Sequence, residues 1–379
     1  MPKTKERPRS RNRIGVGSPW PQTSVASPAL GSLLRRKTTR TEPARGHRSG
    51  SGRGCRKKYL AVDCFAGIGG LRLAFEPHGV ECVWSCEFDA DAAETYRRNF
   101  GDDPTGDMTL QNPYAIPEHD ILLAGWPCQD NSPQGKRQGL RGEQSSKITY
   151  IYDILEAKMP RAFVLENVAY LLYRPMERDF ESVKGALRRA GYHVHWSLLN
   201  ARNFGLPQNR ERVFLVGFKR DAGHFEFPAG GPAAANIAEF LEQEVPERFY
   251  LSAEGYETIR KGRLEQADIG SHHGHHFIRD GFAATLLANP DKRRDNIWID
   301  AQRRKRFLTP REYARLQGFP DDFWLPSDDC ECDEKRMRSN DSKAYRQVGN
   351  SVPVAVVSEI AKRVVAVLRK TDRVEAATR

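Results

Sequence analysis

The stretch Leu60-Ala61-Val62-Asp63-Cys64-Phe65-Ala66-Gly67-Ile68-Gly69-Gly70-Leu71 is an apolar run that passes through a glycine turn into a helical pattern. A strand, turn and helix of this kind let the backbone approach a bound nucleotide closely. The next apolar run ends in Glu87, where a carboxylate can accept hydrogen bonds from a ribose diol. The spacing is not G-x-G-x-x-G, and Asp107 adds an acid before the following strand. We therefore predict a nucleoside cofactor without a pyrophosphate, which S-adenosylmethionine fits; the alternative is a structural turn with surface acids.

Short apolar runs alternate with longer amphipathic stretches from Tyr59 to about residue 220, a rhythm typical of βαβ units. It predicts an α/β fold with a doubly wound, mostly parallel sheet covered by helices on both faces. The predicted strands are Tyr59–Asp63, Glu81–Glu87, Asp120–Ala124, Ala162–Glu166, His193–Leu199 and Arg212–Phe218, with helices such as Ile68–Glu76, Ala90–Asn99 and Phe180–Ala190 between them.

Changes in composition divide the chain into five parts. Residues 1–58 are a basic tail and linker that we expect to be disordered, and residues 59–221 carry the βαβ rhythm. Residues 222–326, rich in Gly, Pro and His in their first part, are predicted to form a smaller inserted domain. Residues 327–343 are interpreted as an acidic surface insertion. Residues 344–379 return to the first domain through a helix predicted at Val352–Leu368.

Composition narrows the class of protein. The 379 residues contain 39% hydrophobic and 29% charged residues, which excludes wholesale disorder. No apolar stretch is long enough for a membrane span or a secretory signal, so we expect a soluble protein. The seven cysteines show no framework spacing and are interpreted as free thiols of a reducing compartment.

The formal charge of +11 is concentrated in the tail, where residues 1–58 hold 16 Lys and Arg but 2 Asp and Glu. The net charge of residues 59–379 is close to zero. Three interpretations of the tail stay open: attraction to polyphosphate, an organelle-targeting presequence, or no function if translation starts downstream.

Three polar groups follow strands at the edge where open α/β sheets place their chemistry. Cys128 stands in the loop Gly125-Trp126-Pro127-Cys128-Gln129, and its thiolate is a strong nucleophile unless the residue is packed as a small hydrophobe. Glu166 ends the next strand, and a carboxyl group beside an apolar run can hold a proton near neutral pH. Arg210 and Arg212 are suited to a carbonyl oxygen or a phosphate; pairing of charges on a surface strand is the alternative.

Together these stretches resemble, in order, the motifs of the DNA (cytosine-5) methyltransferases, and most closely the bacterial restriction-modification type. The resemblance covers residues 59–220 and 303–368. It rests on Asp63-Cys64-Phe65-Ala66-Gly67-Ile68-Gly69-Gly70, Pro127-Cys128-Gln129, Glu166-Asn167-Val168, Gln208-Asn209-Arg210-Glu211-Arg212, Gly349-Asn350-Ser351-Val352 and the segment Leu308 to Pro320. It implies the S-adenosylmethionine-dependent methyltransferase type of sheet and an inserted target-recognition domain.

The resemblance also implies a mechanism. Cys128 adds to carbon 6 of a cytosine that has swung out of the helix, Glu166 donates a proton at N3, and Arg212 binds O2. Arg210 supports the Cys128 loop or the flipped nucleotide. The implied cofactor contacts are Phe65, Gly67, Gly69, Glu87, Asp107, Pro127 and Asn350.

Contacts with duplex DNA are expected mainly from the inserted domain. Ala284-Thr285-Leu286 resembles the Thr-Leu element of such domains, and Arg303-Arg304-Lys305-Arg306 is a candidate phosphate-contacting run, or else a solvated loop. The predicted DNA-binding residues are Gln129, Ser132, Gln208, Thr285, Arg303, Arg304 and Arg306. We predict no metal site, either at the histidines of 272–276 or at Cys330 and Cys332.

Two departures and two alternatives accompany the resemblance. Asp130-Asn131-Ser132 stands where the family usually has Phe-Ser, and Gly139 to Ser146 matches the fifth motif loosely. A tRNA cytosine-5 methyltransferase on the same scaffold is the main alternative, although the Cys-Phe-Thr of that branch is absent from the insertion. A non-catalytic DNA-binding relative is the other. We expect a monomer in the cytoplasm, at the nucleoid, with a cognate restriction endonuclease as a possible partner.

Overall fold

The computed structural model describes residues 58–127, 147–173, 176–221, 223, 225–231, 236–268, 281–288, 296–299, 303–329 and 333–378. Cys128, Gln129 and Ser132 lie outside the described residues. So do the tail up to residue 57, the histidines of 272–276 and Cys330 with Cys332. What the sequence predicts for these residues stays a prediction.

Six strands form one sheet in the order β2-β1-β3-β4-β6-β5. The contacts β1–β2, β1–β3 and β3–β4 are parallel, whereas β6 runs antiparallel to β4 and β5. The predicted mostly parallel sheet is therefore confirmed. Its strands are β1 (Tyr59–Cys64), β2 (Val80–Cys86), β3 (Ile121–Gly125), β4 (Ala162–Val168), β5 (His193–Asn200) and β6 (Glu211–Phe218).

Helices cover both faces of this sheet. Alternate residues of a strand point to opposite faces, so Ala61 and Leu123 join one apolar cluster while Val62 and Leu122 join another. None of the helices in the described ranges is long and apolar enough to cross a membrane. The helices are α1 (Gly70–Phe75), α2 (Ala90–Phe100), α3 (Ile148–Lys158), α4 (Glu177–Arg189), α5 (Ala253–Asp268), α6 (Pro310–Leu316), α7 (Glu334–Asn350) and α8 (Val354–Thr378).

Helix α1 begins at Gly70, two residues later than the sequence pattern predicts. Gly69 has a left-handed φ of 84°, which is outside the helical region. A Cβ at Gly69 would lie 2.3 Å from the ring of Phe100, so the turn needs glycine here for space as well. The glycine turn is thus longer than predicted and the helix correspondingly shorter.

The C-terminal helix α8 packs against α1 of the first domain. Helix α7, however, crosses the predicted boundary at residue 343 without a break. Asp341, Ala344, Tyr345 and Val348 are buried at helical spacing on either side of that boundary. Residues 334–350 therefore form one continuous helix, whose first two turns are mostly exposed.

The described part of the inserted region lies against the first domain. Ile237, Phe249 and Leu286 are buried in the same apolar cluster as α6 and α8. Strands β7 (Ile297–Ile299) and β8 (Lys305–Phe307) form a short antiparallel pair. A bridge between Gln208 and Ala283 places residues 283–288, here called the recognition segment, beside the start of β6.

Candidate active site

The turn after β1 has the shape that the sequence predicts for a nucleotide site. Phe65 has a φ of 55° and Gly67 a φ of 56°. A left-handed conformation is strained for an aromatic residue, and such strain clusters at ligand-binding sites. A Cβ built at Gly67 meets no atom within 4 Å, so this glycine borders open space. Gly69 instead shapes the turn by its contact with Phe100.

Glu87 follows β2 and holds the turn in place. Its two carboxylate oxygens accept hydrogen bonds from the backbone N–H groups of Gly67 and Asp89, each at 2.7 Å. Burial raises the pKa of Glu87, and these hydrogen bonds oppose the rise. A backbone hydrogen bond from Phe88 also reaches this carboxylate, and the three donors leave it capacity to accept from a ligand hydroxyl. The predicted ribose-binding carboxylate therefore lies directly beside Gly67.

Two further groups extend this site. The Asp107 carboxylate accepts a 2.9 Å hydrogen bond from the Thr109 N–H, which lowers the pKa of Asp107. Phe88 leaves 74% of its surface exposed although it directly follows Glu87. Phe88 is thus an exposed aromatic ring next to the Glu87 carboxylate in the chain.

Asp63, at the end of β1, is fully buried under the turn. Burial raises the pKa of Asp63 well above its usual range, and the backbone N–H and the charge of Arg72 oppose the rise.

The predicted acid and the predicted arginine meet where β4 and β6 pair. Arg212 Nε lies 3.0 Å from Glu166 Oε1, and both side chains are 12% exposed. Gly125, at the end of β3, is the register partner of Glu166, and a Cβ there would be 3.4 Å from Glu166 Oε2. Burial raises the pKa of Glu166, and the charges of Arg212 and Arg210 oppose the rise.

The loop that leads to Cys128 starts beside this pair. Asn167 Nδ2 donates a 3.2 Å hydrogen bond to the Trp126 carbonyl, and Asn167 is buried. Pro127 is the last described residue before Cys128. The residue after the acid therefore anchors the loop that carries the predicted nucleophile, a role that the sequence pattern did not indicate.

Arg210 and Gln208 differ from what the sequence predicts. Arg210 is 1% exposed, and its guanidinium donates to the carbonyls of Leu286, Gly349 and Ser351. Gln208 is fully buried, and its amide binds Leu316, Gln317 and the Leu286 N–H. Because these polar groups serve the protein's own backbone, Gln208 is not placed to contact DNA and Arg210 does not face an open site.

The basic run that precedes α6 also separates into different roles. Arg306 is buried and makes two 2.7 Å hydrogen bonds to Glu312, so it is not available to a phosphate. Arg304 lies over the Tyr250 ring at 3.9 Å and 3.6 Å from Glu247. Arg303 is exposed with a φ of 61°. Thr285 donates a 2.7 Å hydrogen bond to the Asn209 carbonyl, beside Arg210.

The mostly parallel sheet, with β6 antiparallel, has the methyltransferase fold, and its glycine turn, the acid after β2 and the buried acid and arginine lie at one edge. The sequence profile of C-5 cytosine-specific DNA methylases matches residues 59–366. The chain therefore belongs to the C-5 cytosine-specific DNA methylase family. It is a cytosine-5 DNA methyltransferase of the Type II restriction-modification type.

Similar proteins agree with this assignment. Type II methyltransferase M.DsaV of Dactylococcopsis salina is 36% identical over 324 residues, covering 84% of this chain and 89% of that protein. M.HpaII of Haemophilus parainfluenzae is 37% identical over 333 residues, covering 82% and 90%. Among solved structures, Entamoeba histolytica EhMeth is similar with a TM-score of 0.63 at 17% identity, covering 83% of this chain and 99% of that one. A Spodoptera frugiperda DNMT2 variant is also similar, with 0.63 at 18% identity, covering 81% and 99%. These two structures bear on the fold alone.

Proposed function

We propose that this chain transfers a methyl group from S-adenosylmethionine to carbon 5 of a flipped-out cytosine in a specific short duplex DNA sequence. Covalent addition of Cys128 to carbon 6 carries the reaction. The observation that supports this most is the buried pair of Glu166 and Arg212, 3.0 Å apart, beside the strand end that leads to Pro127 and Cys128. Both groups suit the polar edge of a heterocycle.

The residues of the glycine turn fit the cofactor. Gly67 borders open space, Glu87 has lone pairs for the ribose hydroxyls, and Asp107 is an ionised acceptor for an adenine amine. Phe88 offers an exposed ring for the adenine face. When bound, S-adenosylmethionine supplies an electrophilic methyl group. The other expected contacts are Phe65, Gly69, Pro127 and Asn350, with Gly69 acting by shaping the turn.

The protein side chains make carbon 5 of the cytosine reactive. The Cys128 thiolate forms a bond to carbon 6, and the electron pair displaced through the ring is met by a proton from Glu166 at N3. Burial raises the pKa of Glu166 and so favours its proton-carrying form, while the Arg212 guanidinium binds O2 and stabilises charge that develops on the ring. Carbon 5 then takes the methyl group and gives up its proton to solvent water. The electron pair of that C–H bond re-forms the double bond to carbon 6 as the Cys128 thiolate leaves, and N3 returns its proton to Glu166.

The target cytosine must leave the helix for this chemistry, because a stacked base exposes neither carbon 6 nor N3 to these groups. The proposed DNA contacts remain Gln129, Ser132, Thr285, Arg303 and Arg304, although the Arg304 guanidinium also packs on an aromatic ring. Arg306 and Gln208 act instead inside the protein. Because its substrate is duplex DNA, the enzyme should be located at the nucleoid. It should act as a monomer, and a restriction endonuclease should recognise the same DNA sequence.

Trapping on 5-fluorocytosine tests the covalent step. Fluorine in place of the hydrogen on carbon 5 cannot leave as a cation, so the adduct cannot break down after methyl transfer. We expect the wild-type chain and S-adenosylmethionine to give a denaturation-resistant complex with a duplex carrying 5-fluorocytosine at its target positions. Cys128→Ser should give none while still binding S-adenosylhomocysteine. A covalent complex with the Ser variant would refute Cys128 as the nucleophile.

A further inference from the structure

One buried guanidinium joins two segments that are distant in the chain. Arg210 Nη1 donates to the Leu286 carbonyl of the recognition segment at 2.8 Å. Its Nη2 donates to the carbonyls of Gly349 at 2.9 Å and Ser351 at 2.7 Å, in the junction between α7 and α8. Arg210 thus binds three backbone acceptors at once, two residues before Arg212 of the active site.

Two glutamines hold the same segments a second time. Gln208 accepts from the Leu286 N–H at 3.1 Å and donates to Gln317 Oε1 at 2.9 Å. Gln317 Nε2 donates to the carbonyls of Val348 and Ser351, each at 3.0 Å. Because all three side chains are buried, their hydrogen bonds are costly to break and fix the segments relative to one another.

The junction is also packed tightly on both sides. A Cβ built at Gly349 would lie 2.5 Å from the Ala288 nitrogen, so the recognition segment is in direct backbone contact with α7. On the other side, a Cβ at Gly70 would lie 2.6 Å from Ser351 Oγ, and Gly70 is the first residue of α1 after the glycine turn. The contacts run without a gap from the turn through Ser351 and Arg210 to Leu286.

We propose that Arg210 is a positioning residue that couples the cofactor site to the recognition segment. A shift of the turn on cofactor binding moves Ser351, and Arg210 transmits that shift to Leu286 and to the strand that carries Arg212. Cofactor binding and DNA binding then strengthen each other, and thermodynamic linkage makes the effect reciprocal. The inference rests on the proposed function, since it assumes that both ligands bind at this edge.

The test compares DNA affinity with and without S-adenosylhomocysteine, which requires no turnover. The probe is a short unmethylated duplex that contains the sequence at which the enzyme methylates DNA, as found by base-resolution mapping of 5-methylcytosine. For the wild-type chain we expect the product analogue to tighten binding by a factor of about 5 to 150, the usual range for coupled sites. Arg210→Lys loses the fork that spans both segments, and Gly349→Ala separates them by a methyl group; both should bring the factor close to one.

Two matched variants control for loss of stability. Arg311→Lys removes another arginine that binds a backbone carbonyl, that of Phe323 at 2.9 Å, outside these contacts. Gly185→Ala adds a methyl group in α4, where the nearest atom is the flexible end of Arg189 at 3.3 Å. The melting temperature of all four variants is measured. The two control variants should keep the wild-type coupling factor even if their melting temperatures fall.

The outcomes separate the two proposals. A wild-type factor of one, or an undiminished factor in both Arg210→Lys and Gly349→Ala, refutes the coupling. If one of the two variants does not fold, the other decides. If the wild-type chain methylates DNA, only the coupling is refuted; if it neither binds nor methylates duplex DNA, the proposed function fails as well.

Discussion

The Arg212 guanidinium lies 3.0 Å from the Glu166 carboxylate across two antiparallel strands, and each side chain is 12% exposed. Two charges in such a place are sensitive to each other, because little water screens them. Arg212 favours the ionised form of Glu166 whereas burial favours the protonated form. The balance between these two effects sets the pH range in which Glu166 can give a proton to cytosine.

Replacing the acid should remove a proton donor and flatten one limb of the pH profile. We expect Glu166→Gln to lower kcat by a factor of about 100 to 10,000, the usual contribution of a positioned acid. Activity of the wild-type enzyme should fall as the pH rises through the raised pKa of Glu166, because the carboxyl group then loses the proton it donates. Methyl transfer to duplex DNA measured against pH checks this. An unchanged alkaline limb in Glu166→Gln would assign that limb to another group.

Replacing Arg212 should shift the alkaline limb of the pH–activity profile. Arg212→Gln leaves Glu166 buried without the nearest opposing charge, so the pKa of Glu166 should rise further. The alkaline limb then shifts to higher pH while kcat falls, since O2 of the cytosine loses its partner. The control is Arg188→Gln, at the end of α4 away from this edge. A limb that stays in place or moves to lower pH contradicts the electrostatic account of the pair.

Phe88 provides a test of the cofactor site that is independent of catalysis. Stacking of an aromatic side chain on a base contributes about 1–3 kcal/mol. We therefore expect Phe88→Ala to weaken S-adenosylhomocysteine binding by a factor of about 5 to 150, measured by calorimetry. Val374→Ala, at an exposed apolar position of α8, should leave the affinity unchanged. Equal affinities for wild type and Phe88→Ala would remove Phe88 from the site.

The buried Asp63 should make the stability of the folded chain depend on pH. Its pKa is raised in the folded chain, so above the ordinary range of a carboxyl group folding takes up a proton. The stability that this group contributes is complete below its unfolded pKa and is lost as the pH rises toward its folded pKa, by up to about 1.4 kcal/mol per pH unit. Asp63→Asn removes that dependence. The melting temperature of Asp63→Asn relative to wild type should thus increase from pH 5 to pH 8; a constant difference would show that Asp63 is ionised.

Substitutions of Arg306 and Arg303 should have different effects, the first on the stability of the fold and the second on DNA binding. Arg306→Gln leaves the buried Glu312 without its partner and should lower the free energy of unfolding by about 3–5 kcal/mol. Arg303→Gln, at an exposed position, should leave stability nearly unchanged and reduce the slope of log affinity for DNA against log salt by about one. Denaturant titration and DNA binding at several salt concentrations measure both. Reversed effects would exchange the roles of the two arginines.

The sequence predicted most of what lies along the strands. Apolar runs of five to seven residues predicted all six strands of the sheet, although β2 ends one residue before Glu87 and β4 continues two residues beyond Glu166. Such features are local, because strand and turn patterns depend on neighbouring residues.

The roles of Arg210, Gln208 and Arg306 could not be found from local pattern. Arg210 binds carbonyls 76, 139 and 141 residues further along the chain, and Gln208 binds Gln317 after 109 residues. A charged or polar side chain in a motif looks the same whether it faces a ligand or the protein's own backbone. Only the fold shows which acceptors surround it, and for these three residues they are internal.

The most direct test of the account is transfer of labelled methyl from S-adenosylmethionine to unmethylated duplex DNA and, in parallel, to bulk tRNA. Base-resolution mapping of 5-methylcytosine follows. We predict label in DNA at one recurring short sequence, none in tRNA, and none in either with Cys128→Ser. Label in tRNA alone would contradict the assignment of duplex DNA as substrate, and label in neither would contradict the proposed activity of this chain.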